Sequence, residues 1–161
     1  MSLVIKLSIL RSWSGLILGA CSFRNEYDGH TIEKTLEQTQ RMTGRKVDKL
    51  AGDRGYRGIK QIGQTKILIP DIPKAKDSYY QKRKKHKLFC KRAGIESTIE
   101  YLKEGHRLSR NFYKGVKGDA INVLLAAAAY NFKRAMRVLL YLIKRIRIEI
   151  VSTSFMLKYS F

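Results

Sequence analysis

Two carboxylates stand out in a chain built largely from cations. Asp53 lies in "AGDRGYRG", where a partly apolar stretch runs into a glycine-punctuated loop; Glu96 lies in "FCKRAGIESTIEYLK", between Arg92 and Lys103. An acid at a strand end beside a loop is well placed for a functional site. Mg²⁺ takes few carboxylates and completes its shell with water and phosphate oxygens. Two such ions about 4 Å apart drive in-line phosphoryl transfer. A basic surface around a small acidic centre is the charge layout such chemistry needs, with cations on the phosphate backbone and acids on the metal. The plain structural reading is a surface helix with a spaced ion pair. Arg92 and Glu96 are i and i+4, a pairing that contributes about 0.2–0.5 kcal/mol.

These acids need elements to hold them. At about 100° per residue, Phe89, Arg92, Glu96 and Lys103 share one narrow helix face, and Leu88, Ile95, Ile99 and Leu102 fall on a neighbouring face that can pack on a core. A helix is therefore expected from about Tyr79 to Glu104, with Gly94 as its weak point. Upstream, "LVIKLSIL" (3–10) and "GLILGACSF" (15–23) read as strands, and "RSWS" is short enough for a hairpin. Asp28-Gly29 marks a turn, Thr31 is placed to cap a helix over "IEKTLEQTQRMTG", and Gly44 closes it. "KVDKLAGD" reads as a strand ending at Asp53, and "TKILIP" as a strand stopped by Pro70; 71–78 reads as a loop. "GDAINVLLAAAAYNFKRAMRVLLYLIKRIR" is one long helix with Asp119 as its cap. "IEIVSTSFMLKYSF" receives no assignment. The order is that of a mixed α/β domain, a hairpin followed by crossovers.

With 161 residues the chain suits a single domain with a real core. Lys and Arg total 33 against 13 Asp and Glu, a net charge of +20. Such an excess selects polyanionic partners, nucleic acid before an anionic membrane surface. Cys21 and Cys90 form no CxxC pair, and His30, His86 and His106 lack ligand spacing, so neither a disulfide framework nor a zinc site is expected. The N-terminal apolar run is interrupted by Arg11 and Trp13, unlike a signal sequence. No stretch reaches the roughly 18–20 apolar residues of a membrane span.

The spacing Phe89-x2-Arg92-x3-Glu96-x6-Lys103 resembles the Tyr-x2-Arg-x3-Glu-x6-Lys signature of bacterial insertion-sequence transposases with a DDE catalytic triad, with Phe89 in the place of the tyrosine. "GDRGYRG" (52–58) is similar to the loop carrying the second acid of that triad. "YDGHT" (27–31) and "HRLSRNFYKGVKGDAINVLLAAAAYN" (106–131) resemble stretches of the IS-five-like and IS-four-like branches. The resemblance spans about residues 3–140. It implies a ribonuclease-H-like fold, a mixed sheet flanked by helices, and Mg²⁺- or Mn²⁺-dependent cutting and joining of transposon-end and target DNA. It implies Asp53 and Glu96 as the second and third catalytic acids and as metal ligands. Arg92 and Lys103, with Arg54, Arg57, Arg107 and Arg110, are the implied DNA contacts, and Phe89 would stack on a base or hold its helix face. The resemblance further implies a homo-oligomer on DNA when full length, no membrane partner, and a setting in the bacterial cytoplasm at the nucleoid.

In that family the first catalytic aspartate sits on a strand upstream of a hairpin like 3–23, and here no acid precedes Glu26. The expectation is a truncated catalytic domain over 1–140 that lacks its first strand, a tail over 141–161, and weak or no cleavage by the isolated chain. Asp28 is read as a helix-capping residue, not a substitute acid. Two other readings stand beside it. A non-catalytic nucleic-acid-binding protein would use the same cations, above all "QKRKKHKLFCKR" (81–92) with seven Lys or Arg and no acid. A membrane-surface protein would use the basic, amphipathic last helix, against which stands its reading as a core helix covering the sheet.

Overall fold

A computed structural model of the chain describes residues 5–24, 28–56, 58–111 and 113–158. Among these residues it is a mixed α/β structure with two small sheets and three α-helices. Strands β1 (Ile5–Arg11) and β2 (Ile17–Arg24) form the expected antiparallel hairpin, paired from Ile5↔Arg24 to Leu10↔Gly19, with an irregularity before Arg11. Residues 3 and 4 of the expected strand lie outside the described residues. The turn closes through Gly15, whose φ of 87° belongs to the left-handed region that glycine enters without a Cβ clash; Ser12 N–H donates to the Leu16 carbonyl at 2.8 Å.

Helix α1 (Asp28–Thr43) covers one face of this hairpin. Its contact stripe is Thr31, Thr35 and Thr39, all buried. Threonines four apart lie on one face. Thr35 and Thr39 each donate to the carbonyl four residues back at 2.8 Å, so their hydroxyls are buried with a partner. Thr39 Oγ1 lies 2.1 Å from where a Cβ on Gly19 would stand, so only glycine lets helix and strand approach this closely. Thr31 is not the helix cap that the sequence suggested. The helix begins at Asp28, and Thr31 points inward, 3.3 Å from the Tyr56 hydroxyl. Gly44 ends the helix as expected, at φ 64° with its N–H on the Gln40 carbonyl.

The second sheet has the order β3-β5-β4, with β3 (Lys49–Ala51) parallel to β5 (Thr65–Leu68) and β4 (Gln61–Ile62) antiparallel to it. β3 stops two residues short of Asp53, and β4 was missed by the sequence reading, although Gly63 at φ 54° marks its turn. Helix α2 (Tyr79–Gly105) runs unbroken through Gly94. Arg11 Nη1 lies 2.5 Å from where a Cβ on Gly94 would be, so a larger residue there displaces the end of the Arg11 side chain. Ser78 and Gln81 form a full capping box at its start. Just before it, Asp77 accepts from Lys85 Nζ and Lys74 N–H, both at 2.7 Å, and these donors hold its carboxyl below the usual range.

Helix α3 (Gly115–Lys158) includes most of the stretch left unassigned. Its first part lies on the other face of the hairpin, where Val123, Ala126 and Ala127 join Ile9, Ile17, Ala20 and Leu102 in the core. Asn131 fixes it to β2, with Nδ2 donating to the Ile17 carbonyl at 2.7 Å and Oδ1 accepting from the Ile17 N–H at 2.9 Å. Two expectations fail on this helix. Asp119 is not its cap but a buried residue within it. From Lys133 to Ile150 the helix is exposed on all sides, so only its first part is a core helix covering the sheet. None of the described helices is long and apolar enough to cross a membrane.

Candidate active site

The local sequence explains how the two acids come together. Asp53 follows β3 and starts a short 3₁₀ turn (Arg54–Tyr56), its carbonyl accepting from the Tyr56 N–H at 3.0 Å. Glu96 stands on α2, whose apolar side is anchored by Leu102 and Ile99 against the core. This leaves the neighbouring face, with Phe89, Glu96 and Lys103, exposed. Arg92, one turn before Glu96, joins the two elements. Its Nη2 lies 2.8 Å from Glu96 Oε1 and 3.0 Å from Asp53 Oδ2. The carboxylates are thus within two ion-pair lengths of each other, across a single guanidinium nitrogen.

All three side chains line one cavity of about 450 Å³, with Lys6, Tyr56 and Ile95 among its other walls. Asp53 is 53% exposed, Glu96 67% and Arg92 23%, so the acids face solvent while the arginine lies deeper. Carboxylate oxygens on the open side of a cavity are the donor type that Mg²⁺ takes, with water and phosphate oxygens completing the shell. Among the described residues, no third His, Cys, Asp or Glu completes a group of three with them.

The other residues singled out in the sequence are not drawn into this cavity. Lys103 is exposed two turns further along α2 and does not line it. Arg107 and Arg110 are exposed in the α2–α3 connection, where Arg107 has φ 55° and its carbonyl accepts from the Arg110 N–H. Arg57 and the side chain of Arg54 lie outside the described residues, as do Tyr27 and Glu26. In the basic run 81–92, Lys82, Arg83, Lys84, Lys87 and Lys91 are exposed. Lys91 sits 3.0 Å from the centroid of the Trp13 ring, a cation–π contact. Cys21 and Cys90 are both free thiols.

Sequence reasoning missed Lys6 and Tyr56 as walls of the acid cavity. It also missed the role of Asp119, which accepts from Arg24 Nε at 2.6 Å and from Asn111 Nδ2. Nothing local announces these contacts, since Arg24 and Asp119 are 95 residues apart.

No curated protein and no solved structure gives a match. A family model described as the transposase DDE domain matches residues 14–132, a span that takes in β2, both acids, Arg92 and the part of α3 that packs on the sheet. The chain belongs to the transposase DDE domain family.

Proposed function

We propose that the chain is the catalytic-domain portion of an IS-five- or IS-four-like insertion-sequence transposase, with a ribonuclease-H-like arrangement over 1–140 and a tail over 141–161. Asp53 and Glu96 serve as two of its catalytic acids. The observation that carries the reading is the convergence of Asp53, Arg92 and Glu96 from two elements on one solvent-open cavity. A divalent ion such as Mg²⁺ or Mn²⁺, when bound, supplies Lewis-acid stabilisation of charge at a phosphate under attack. Asp53 and Glu96 are the residues that would hold it. Arg92 pairs with both acids and offsets one of their two charges, and its remaining N–H groups suit a DNA phosphate, to which a guanidinium presents a planar fork. Lys103, Arg107, Arg110, Arg54 and Arg57 belong to the surrounding DNA contacts, and the full-length protein acts as an oligomer on transposon ends and target DNA. With these two acids, the chain binds metal weakly and cleaves DNA poorly or not at all.

The test is Mn²⁺ titration followed by electron paramagnetic resonance, together with nicking of supercoiled DNA. Weak Mn²⁺ binding lost in Asp53→Ala and in Glu96→Ala supports the reading. Binding unchanged in both variants sinks it, and a Mg²⁺-dependent nicking activity abolished by Glu96→Ala sinks the expectation of weak cleavage. The exposed cations of 81–91 and the absence of a third ligand among the described residues favour one second reading, a nucleic-acid-binding protein without chemistry. Equal DNA affinity with and without metal, in wild type and Asp53→Ala alike, selects it.

A further inference from the structure

A second cavity, of about 300 Å³, opens where the end of α2 meets α3, and no side chain lines both it and the acid cavity. Tyr101 supplies its α2 wall. Ile99 lines the acid cavity, and two helical residues turn the chain by about 200°, so the two cavities lie on opposite sides of α2. The α3 wall includes Tyr130, Lys133, Arg134, Arg137 and Tyr141. Steps of three and four put these side chains along one face of the helix. Tyr101 and Tyr130 meet edge-on with ring centroids 6.0 Å apart, so they form a corner rather than a stack. Tyr141 stands about 16 Å further along the helix axis.

Three cations stand between these aromatic ends, and their partners are neutral. Lys133 Nζ donates to the Tyr101 hydroxyl at 2.6 Å, and Arg134 Nη2 donates to the Ser14 carbonyl. The Lys133 bond, with Arg137 adding to it, holds the Tyr101 hydroxyl below its ordinary pKa. Among the described residues none of the three pairs with an acid, whereas Arg24, Lys85, Arg92 and Arg145 all do. Like charges gathered without a counter-charge repel one another and favour an anion between them. The rings narrow the kind of anion. A lone phosphate or an acidic side chain would use the cations and leave the tyrosines idle. A strand of unpaired nucleotides alternates phosphates with flat bases, and aromatic rings beside cations are the surface on which such strands stack. In a duplex the bases are held inside the stack and present no face.

We infer that this groove binds single-stranded nucleic acid, with one base in the corner of Tyr101 and Tyr130, another on Tyr141, and the phosphates between them on Lys133, Arg134 and Arg137. Stacking accepts any base, so the site selects unpaired strands rather than a sequence. It is separate from the DNA contacts implied around Asp53 and Glu96, and it needs neither metal nor cleavage. The two readings therefore fail separately. Loss of Mn²⁺ binding bears on the acids alone, and loss of base-dependent binding bears on the groove alone.

The probe is a fluorescein-labelled octathymidylate, read by anisotropy on the full chain beside an abasic octamer of equal charge. Tyr141 is the residue to change, because it is 65% exposed and its loss spares the core. The thymidine octamer is expected to bind about tenfold tighter than the abasic one, and Tyr141→Ala to weaken it about fivefold or more, with Tyr141→Phe within about twofold of wild type. Abasic binding stays the same in all three proteins, which reports an intact fold. Arg137→Gln weakens both octamers alike and lowers the slope of log affinity against log salt by about 0.7. Equal binding of the two octamers, no loss in Tyr141→Ala, or an equal loss in Tyr141→Phe overturns the inference. An eight-base-pair duplex that displaces the probe as well as unlabelled octathymidylate does overturns it too, by assigning the strand to the general basic surface. Adenosine monophosphate that matches the octamer's affinity overturns it by making the groove a free-nucleotide site.

Discussion

Two carboxylate–arginine clusters in this chain look alike on paper and differ in every physical respect that matters. Asp119 is 3% exposed, and Arg24 and Asn111 both donate to it. It ties α3 to the end of β2 and has no open side. Asp53 and Glu96 share one arginine, Arg92, and are more than half exposed on a cavity wall. The first cluster is finished: its lone pairs are spent inside the protein, so it serves the fold. The second is open. Its carboxylates are more than half exposed on the cavity wall, within reach of a cation from solvent. Burial, not residue type, separates a structural acid from a candidate catalytic one.

The largest expected effect falls on the finished cluster. Asp119→Ala leaves Arg24 and Asn111 without their acceptor and destabilises the fold by about 1–3 kcal/mol, the usual cost of a buried polar group that loses its partner. Denaturant unfolding checks this, and a loss near zero would erase the contrast. Next comes Arg92→Ala, which removes the cation that competes for both open acids. Mn²⁺ affinity is expected to rise about 3–10-fold, because an opposing positive charge a few ångströms away disfavours a second cation. An affinity that falls instead would make Arg92 a positioning residue for the acids. Smaller still is the effect of Asp53→Ala or Glu96→Ala on stability, within about 0.5 kcal/mol as for other exposed ion pairs. A loss as large as that of Asp119→Ala would show that the open cluster also holds the fold together.

What the sequence made legible is what short spacing encodes. The hairpin, the Gly44 stop, α2 and the Arg92–Glu96 pair all follow from residues a few positions apart, and each is present. The threonine ladder of α1 and the Ser78–Gln81 capping box were equally local and readable in principle, from a period of four and from a cap motif. The rest was hidden by distance along the chain. That Asp53 meets Arg92, or that Asp119 meets Arg24, depends on how β3, α2, β2 and α3 pack, which no periodicity states. β4 is two residues long, too short for an alternation to register. The end of the last helix received no assignment, because β-branched and aromatic residues do not favour helix, whereas the structure continues α3 through it to Lys158.

A third titratable group falls between the two clusters in character, and it gives the finest test. His106 caps the C-terminal end of α2 and packs edge-on against Tyr101 and Tyr130, with ring centroids at 5.3 and 6.3 Å. Its Nε2 is buried with no hydrogen-bond partner. Loss of hydration, and next the nearby Lys133 ammonium, push its pKa below the ordinary value of 6.5. Lys133 is held there by its 2.6 Å bond to the Tyr101 hydroxyl. In the folded state His106 therefore resists protonation, while the unfolded chain takes up the proton at the ordinary pKa. The unfolded state binds more protons in that window, so this contribution to stability is full above pH 6.5 and falls away as pH drops through the folded pKa. Melting temperature measured from pH 7.5 to 5 should fall less steeply in His106→Gln than in wild type. Parallel slopes would mean that the imidazole is already solvated like the open acids. A steeper slope in the variant would mean that the folded state prefers the charged ring, which would place His106 with Asp119 among the satisfied groups.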